Sequence, residues 1–273
     1  MDTRRTLHLL GIDPKRSLGQ NFMVEPTALS RLADAAEVGP ADTVLEVGAG
    51  LGALTDVLAE RARRVVALEI DIRLIAFLRR RYAAQPHVEV VLADVLQMDP
   101  GALLGADAAM YKVVANLPYY ITTAILRHLL ENSTPPRLLA LTMQREVAER
   151  ITARPGAMSL LAVSVQFYGA ARIVARLKPG HFFPRPEVES AIVRIEPHPA
   201  GPPLPLDEAP RFFEMVRAGF SQPRKQVKNS LAAGLGLSVE AATGWLEAAG
   251  IAPTRRAETL ALDEWLALYA AHR

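Results

Sequence analysis

Four consecutive residues, Asn116-Leu117-Pro118-Tyr119, set a side-chain amide, a backbone carbonyl and an aromatic ring side by side, directly after the apolar run Lys112-Val113-Val114-Ala115. An amide oxygen and a carbonyl each accept an N–H, and a neighbouring ring can stack on a flat base. Such a set can grip a planar amino group, for example N6 of adenine. A simple turn would draw on the same residue types. Residues further upstream weigh against the turn.

The segment Glu46-Val47-Gly48-Ala49-Gly50-Leu51-Gly52 falls where a first strand should turn into a first helix. Glycine lets backbone approach a ligand closely and adopt positive φ. A helix start also offers unpaired amides to an anionic group. Gly48-x-Gly50-x-x-Ala53 fits the dinucleotide fingerprint too, so the loop alone does not choose between cofactors. Glu69 closes the second strand-like run, close to the roughly twenty-residue offset at which an acid accepts both ribose hydroxyls. Asp94 follows the third run in Leu92-Ala93-Asp94-Val95, where its carboxylate either accepts from an adenine amine or closes a plain Asx turn. A dehydrogenase would place pyrophosphate on the loop; a methyltransferase would place the methionine part of S-adenosylmethionine there. Hydride transfer has no use for Asn-Leu-Pro-Tyr, whereas methylation of an amino group does.

A sheet is needed to hold these groups together. Apolar runs read as strands at 43–47, 64–68, 88–92, 112–115 and 138–142, and helical patterns follow at 53–62, 72–82 and through 146–148. Alternation of this kind implies an α/β fold with a parallel sheet covered on both faces. Residues 171–175 and 191–195 alternate apolar and polar and read as an antiparallel pair on the sheet's edge. Pro197, Pro199, Pro202, Pro203 and Pro205 then crowd one stretch with Gly201; proline supplies no ladder donor, so 198–206 reads as a linker. The expected organisation is a catalytic domain over 1–197 and a small all-helical domain over 207–273.

The 273-residue chain is half apolar and has no cysteine, which excludes disulfides, thiolate metal sites and a cysteine nucleophile. No apolar stretch reaches the roughly 20 residues that span a bilayer, and Met1-Asp2-Thr3-Arg4-Arg5 leads into no signal-peptide core. A cytoplasmic location and no membrane partner are expected. Net charge is only +2, yet the cations cluster. Arg217, Arg224, Lys225 and Lys228 meet no acid between 217 and 229, and Arg172, Arg176, Lys178 and Arg185 form a second acid-free run. Such clusters attract polyanions and make binding salt-dependent.

Taken together, these motifs resemble those of the ribosomal RNA adenine dimethyltransferases, specifically the small-subunit dimethyladenosine transferases, over nearly the whole chain. Gly19-Gln20-Asn21-Phe22-Met23 is similar to the family's N-terminal Gly-Gln-Asn-Phe-Leu element, and Leu45 through Thr55 to its cofactor loop, where Ala49 often stands as proline. Glu69, Asp94 and Asn116–Tyr119 fall on its remaining cofactor and catalytic positions. Phe182-Phe183-Pro184-Arg185-Pro186-Glu187-Val188-Glu189-Ser190 matches its Phe-x-Pro-x-Pro-x-Val-x-Ser segment. Gly219–Lys225 and Lys228-Asn229-Ser230-Leu231 resemble its C-terminal signature, which the related large-subunit resistance enzymes lack. Tyr120 stands where some members carry asparagine.

The resemblance implies a Rossmann-like methyltransferase sheet, mostly parallel with an antiparallel edge strand, and S-adenosyl-L-methionine as cofactor with no metal. Asn21, Met23, Gly48, Gly50, Glu69, Asp94 and Asn116 would bind that cofactor. Asn116 and the Leu117 carbonyl would accept the two N–H bonds of the target amine, with Tyr119 on one face of the purine and Phe182 on the other. Arg185, Arg224, Lys225 and Lys228 would contact RNA. The implied substrate is a pair of adjacent adenines in the terminal hairpin of small-subunit ribosomal RNA, within an assembling subunit, and the enzyme is expected to be a monomer. Two other classes remain open at this point, a nicotinamide dehydrogenase and a non-catalytic RNA-binding assembly factor. His8, His87, His128, His181, His198 and His272 show no ligand spacing; Ser17 and Ser190 lack a nucleophile's partner; Trp245, Trp265 and Tyr269 read as helical core.

Overall fold

A computed structural model describes residues 3–15 and 19–271; Ser17 and His272 lie outside them. The chain divides into two compact units, one of Met1–Ala148 with Ala171–Pro197 and the other of Glu149–Ala170 with His198–Arg273.

The first unit is built on a seven-stranded sheet of β2 (Thr43–Val47), β3 (Arg64–Glu69), β4 (Val88–Leu92), β5 (Lys112–Asn116), β6 (Leu138–Gln144), β7 (Gly169–Leu177) and β9 (Ser190–Pro197), ordered β4-β3-β2-β5-β6-β9-β7. From β4 to β6 the strands are parallel, and β9 runs antiparallel to β6. Every residue of β2 is buried. Because successive side chains point to opposite faces, a strand buried throughout is covered on both sides, which explains its unbroken Val-Leu-Glu-Val run. Strand β7 behaves differently: Arg172, Val174 and Arg176 are exposed and alternate with half-buried neighbours, as on an outer strand. The two edge runs are therefore neighbours as expected, with β9 inside and β7 outermost.

The chain leaves β2 toward β3 and β4 on one side and returns through β5 to β6 on the other. Strands β2 and β5 are neighbours, with Val47 opposite Ala115. This is the point where strand order reverses, and in open α/β sheets ligands bind beyond the strand ends there. It sets the glycine loop after β2 next to Asn116 at the end of β5. A feature not read from the sequence completes this end: β1 (Phe22–Met23) pairs antiparallel with β8 (Phe182–Phe183), Phe22 opposite Phe183 and Met23 opposite Phe182. Two further helices precede the first sheet strand, α1 (Thr3–Leu9) and α2 (Pro26–Ala35). Helix α2 starts on Glu25, whose side chain accepts from Thr27 N, with Pro26 at the first helical position.

In the second unit, α9 (Ala209–Phe220), α10 (Val227–Leu235), α11 (Val239–Ala248) and α12 (Leu262–Ala270) are joined by α8 (Leu160–Tyr168). The compact units do not follow the 1–197 boundary read from the sequence, since residues 149–170 group with the helical unit. The cause is the apolar α8, whose Phe167 stacks on Phe212 at 5.1 Å and meets Phe213 edge-on. The proline-rich stretch begins tied to the same helix rather than free: His198 N donates to Tyr168 O, and its Nε2 lies 2.9 Å from Gln166 O. Trp265 is fully buried, and a Cβ added at Gly219 would come within 2.3 Å of its ring, so only glycine fits there. Among the described residues no helix is long and apolar enough to cross a membrane.

Candidate active site

At the end of β2 the chain passes through Gly48, Gly50 and Gly52 with φ of 79°, 60° and 85°, a conformation that L side chains rarely adopt. Gly48 N and Ala49 N both donate to Leu68 O at 2.9 Å, which ties the loop to β3. Gly52 then caps α3 (Ala53–Ala59). Glu69, at the end of β3, accepts from Gly50 N on one oxygen (2.7 Å) and from Ile70 N and Asp71 N on the other (2.9 and 2.8 Å). Burial pushes its carboxyl above the usual range, and these three amide donors oppose that shift. Glu46, near the end of β2, is wholly buried. Its Oε2 accepts from Thr55 Oγ1 at 2.6 Å while Oε1 has no partner, and burial pushes its pKa up to about 8.

The opposite wall is made of side chains. Asn116 Nδ2 donates to Asn21 O (2.8 Å), and its Oδ1 accepts from Thr142 Oγ1 (2.6 Å), so both ends of the amide are fixed. Thr142 sits opposite Asn116 in the register of β5 and β6 and is fully buried. Tyr119 OH lies 2.6 Å from Ser190 Oγ, at the start of β9. Gln20 Nε2 donates to Asp71 Oδ2 (3.1 Å), fastening the Gly-Gln-Asn-Phe element to the end of β3. Arg73 beside Asp71 holds that carboxyl down at about 2.

Asn21, Gly48, Gly50, Glu69, Asn116 and Leu117 line one cleft. Met23 and Glu46 line an adjoining one, together with Gly48, Gly50 and Asn116. Most of the expected residues therefore converge. Asp94 stands at the same end of the sheet, but its Oδ1 accepts from Leu96 N (3.0 Å), the Asx arrangement. It is not among the residues that line either cleft. Phe182 is 4% exposed and packed in the apolar core with Met23, so in this structure it opens no face to a base; its neighbour Phe183 is half-buried under the Arg4 guanidinium, 4.9 Å from the ring centre. Arg185 is exposed on the first unit. In the second unit Arg224 and Lys225 are exposed and Lys228 is half-buried. Sequence reasoning gave no role to Glu46, Thr142 or Ser190; for Ser190 the only signal was its place at the end of the Phe-Phe-Pro-Arg-Pro segment.

The geometry can be tested against S-adenosylmethionine. Its cationic amino group needs an anionic or accepting partner, which the unpartnered Glu46 Oε1 in the second cleft provides. Its ribose needs an acceptor for hydroxyls, and Glu69 is a carboxylate in the first cleft. A Cβ at Gly50 would stand 3.1 Å from the Phe22 ring, so the loop must stay bare to keep its position. The residues fit. Among the described residues, no group of three His, Cys, Asp or Glu side chains comes together as a metal site.

Comparisons with known proteins identify the family. The family model described as "Ribosomal RNA adenine dimethylase" matches residues 12–272. The "Ribosomal RNA small subunit methyltransferase A" of Dehalococcoides mccartyi (strain ATCC BAA-2266 / KCTC 15142 / 195) is 43% identical over 251 residues, covering 92% of this chain and 86% of that protein. Its namesake in Moorella thermoacetica is 42% identical, covering 97% and 95%. Among solved structures, the 23S rRNA methyltransferase ErmE superposes with a TM-score of 0.74 at 31% identity, over 92% of this chain and 99% of that one. A dimethyladenosine transferase from Plasmodium falciparum shares the fold, with a TM-score of 0.75 at 23% identity over 90% and 95%. With a glycine loop, a buried acid and Asn-Leu-Pro-Tyr meeting at the strand-order reversal, and a family match over nearly its full length, the chain belongs to the ribosomal RNA adenine dimethylase family of methyltransferases.

Proposed function

We propose that this enzyme transfers methyl groups from S-adenosylmethionine to N6 of two adjacent adenines in the 3′-terminal hairpin loop of small-subunit ribosomal RNA, giving N6,N6-dimethyladenine during small-subunit assembly. The observation that carries the proposal is the fixed amide of Asn116 on the rim of the glycine-loop cleft. Both relatives named above, at 43% and 42% identity, carry the small-subunit name, which supports the choice of substrate over that of ErmE at 31%.

When bound, S-adenosylmethionine supplies an electrophilic methyl on a sulfonium. Gly48, Gly50, Asn21 and Met23 would hold its methionine part, Glu69 the ribose hydroxyls and Asp94 the adenine amine, through the oxygen that Leu96 does not use. The nitrogen to be methylated is a poor nucleophile, because its lone pair is delocalised into the purine ring. Asn116 Oδ1 uses one lone pair on Thr142 and keeps another for an N–H. The Leu117 carbonyl takes the second N–H, and Pro118 restricts Leu117 to an extended conformation that keeps that carbonyl outward. Both acceptors turn the lone pair toward the methyl. Tyr119 stacks on the base, and Phe182 would complete the sandwich only if it leaves the core pocket seen here. The methylated amine is acidic enough to lose its proton to water. Alignment is then the main source of rate, worth on the order of 7–11 kcal/mol when good.

Arg185, Arg224, Lys225 and Lys228 would hold RNA phosphates. The target base must leave its stack, which costs less in a loop than in a duplex. The enzyme acts as a monomer in the cytoplasm under this proposal. The test is incubation with labelled S-adenosylmethionine and undermethylated small subunits, with large subunits in parallel, followed by mass-spectrometric mapping. Label on two neighbouring small-subunit adenines supports the proposal. Label confined to large-subunit RNA, or none, overturns it.

A further inference from the structure

Away from the methyl-transfer cleft, the first unit carries a second concavity of about 510 Å³ between helix α2 and the outer strand β7. Arg31, Arg172, Arg176 and Arg194 line it with Asp34 and Glu37. Arg194 forms its floor at 7% exposure; its Nη1 donates to Ala35 O (3.1 Å) and Glu37 Oε1 (2.5 Å), and its Nε to Glu196 Oε1 (2.6 Å). Asp34 is paired with Arg61 at 2.6 Å. Of the side chains named in and around the groove, five are cationic and three anionic, so cations predominate there.

The surplus is presented in a line. Arg172 and Arg176 are both exposed on β7 with Val174 between them, so they share a strand face. At about 3.3 Å per residue they are about 13 Å apart. Each strand of a nucleic-acid duplex offers a phosphate about every 3.4 Å of axis, so that span meets several. The strand then runs through the exposed Lys178 into the segment bearing Phe182 and Arg185. A guanidinium fork suits phosphate oxygens better than a point charge does.

We propose that the α2–β7 groove is a phosphate-backbone contact for RNA, separate from the methyl-transfer cleft, with Arg31, Arg172 and Arg176 as its contact groups. The inference rests on the proposal that RNA is the substrate. The competing account is that arginines on an outer strand merely keep other strands from adding to the sheet.

The test uses the full-length protein with Arg31→Ala, Arg172→Ala and Arg176→Ala combined, and protein-free undermethylated small-subunit RNA as the probe, in filter binding across a salt series. Loss of three phosphate contacts should make the slope of log K against log salt shallower by about 2–3 and weaken low-salt affinity roughly tenfold or more. Turnover at saturating substrate and the melting shift given by S-adenosylmethionine should match wild type. The triple lysine variant should restore the slope. An unchanged slope in the alanine variant, or a lysine variant no better than alanine, overturns the groove as an RNA contact. So does a loss confined to whole subunits and absent with protein-free RNA, which would assign the groove to a ribosomal protein. Failure here, with wild type still labelling small-subunit adenines, removes the groove alone; absence of that labelling removes the parent proposal.

Discussion

On the glycine-loop side of the cleft, the positioning is done by backbone. Three amides hold Glu69 and two more tie the loop to β3, all between residues 48 and 71. On the Asn116 side it is done by side chains brought from far along the chain. Thr142, 26 residues on, holds the Asn116 amide oxygen, and Ser190, 71 residues beyond Tyr119, holds its hydroxyl. The contrast shows how one half of a site can be fixed by local conformation while the other waits for tertiary structure. Removing a side chain from the Asn116 wall should therefore disturb the base half and spare the cofactor half.

Changes at four positions probe that division. The largest effect is expected for Asn116→Ala: turnover should fall by about 10²-fold or more, because misalignment alone costs that much, while the melting shift given by S-adenosylmethionine persists. Equal loss of both would show that the halves are not separable. Next, Tyr119→Ala removes a stacking surface worth roughly 1–3 kcal/mol, so KM for RNA should rise about 5- to 150-fold. Tyr119→Phe keeps the ring and gives up only the Ser190 bond, and should stay within a few-fold of wild type; an alanine-sized defect in the phenylalanine variant would mean that the hydroxyl matters and stacking does not.

The third change tests the cofactor half through pH. Glu46 keeps its proton up to about 8 when folded against an ordinary 4.5, so the folded state binds more protons across that window. Its stabilising share is full below 4.5 and is lost as pH rises through about 8. Glu46→Gln cannot ionise, so its melting temperature should fall less than that of wild type over the same window; parallel curves would mean that Glu46 is ionised in the fold. Asp71 has the opposite sign, contributing above 3.8 and losing its share as pH falls through about 2. The smallest effect is expected for Thr142→Val, which removes one hydrogen bond from a buried, isosteric position. At about 1 kcal/mol, turnover should drop about fivefold with cofactor affinity unchanged.

The same contrast explains what could be read in the sequence. Strands β2, β3, β5 and β6 were legible because strands buried on both faces are continuous apolar runs, and the glycine loop because its residues are chemically constrained one by one. Asn21, Gly48, Gly50, Glu69 and Asn116 were assigned from motifs and do meet in one cleft. Strands β1 and β8 left no periodic signal, having two residues each, and the burial of Phe182 follows from their pairing. The Glu25-Pro26 start of α2 was an available signal. Residues 149–170 precede the second edge strand in sequence, yet their apolar helix needs the aromatic face of α9, a partner some 50 residues away that no local pattern reports.

The two-residue ribbon of β1 and β8 also fixes an order of events during synthesis. Phe22 leaves the ribosome early, but its hydrogen-bonding partner Phe183 is translated some 160 residues later. A nascent chain can therefore complete the glycine loop and the parallel strands while the wall beside them is still missing. Any chain truncated before residue 182 lacks that wall.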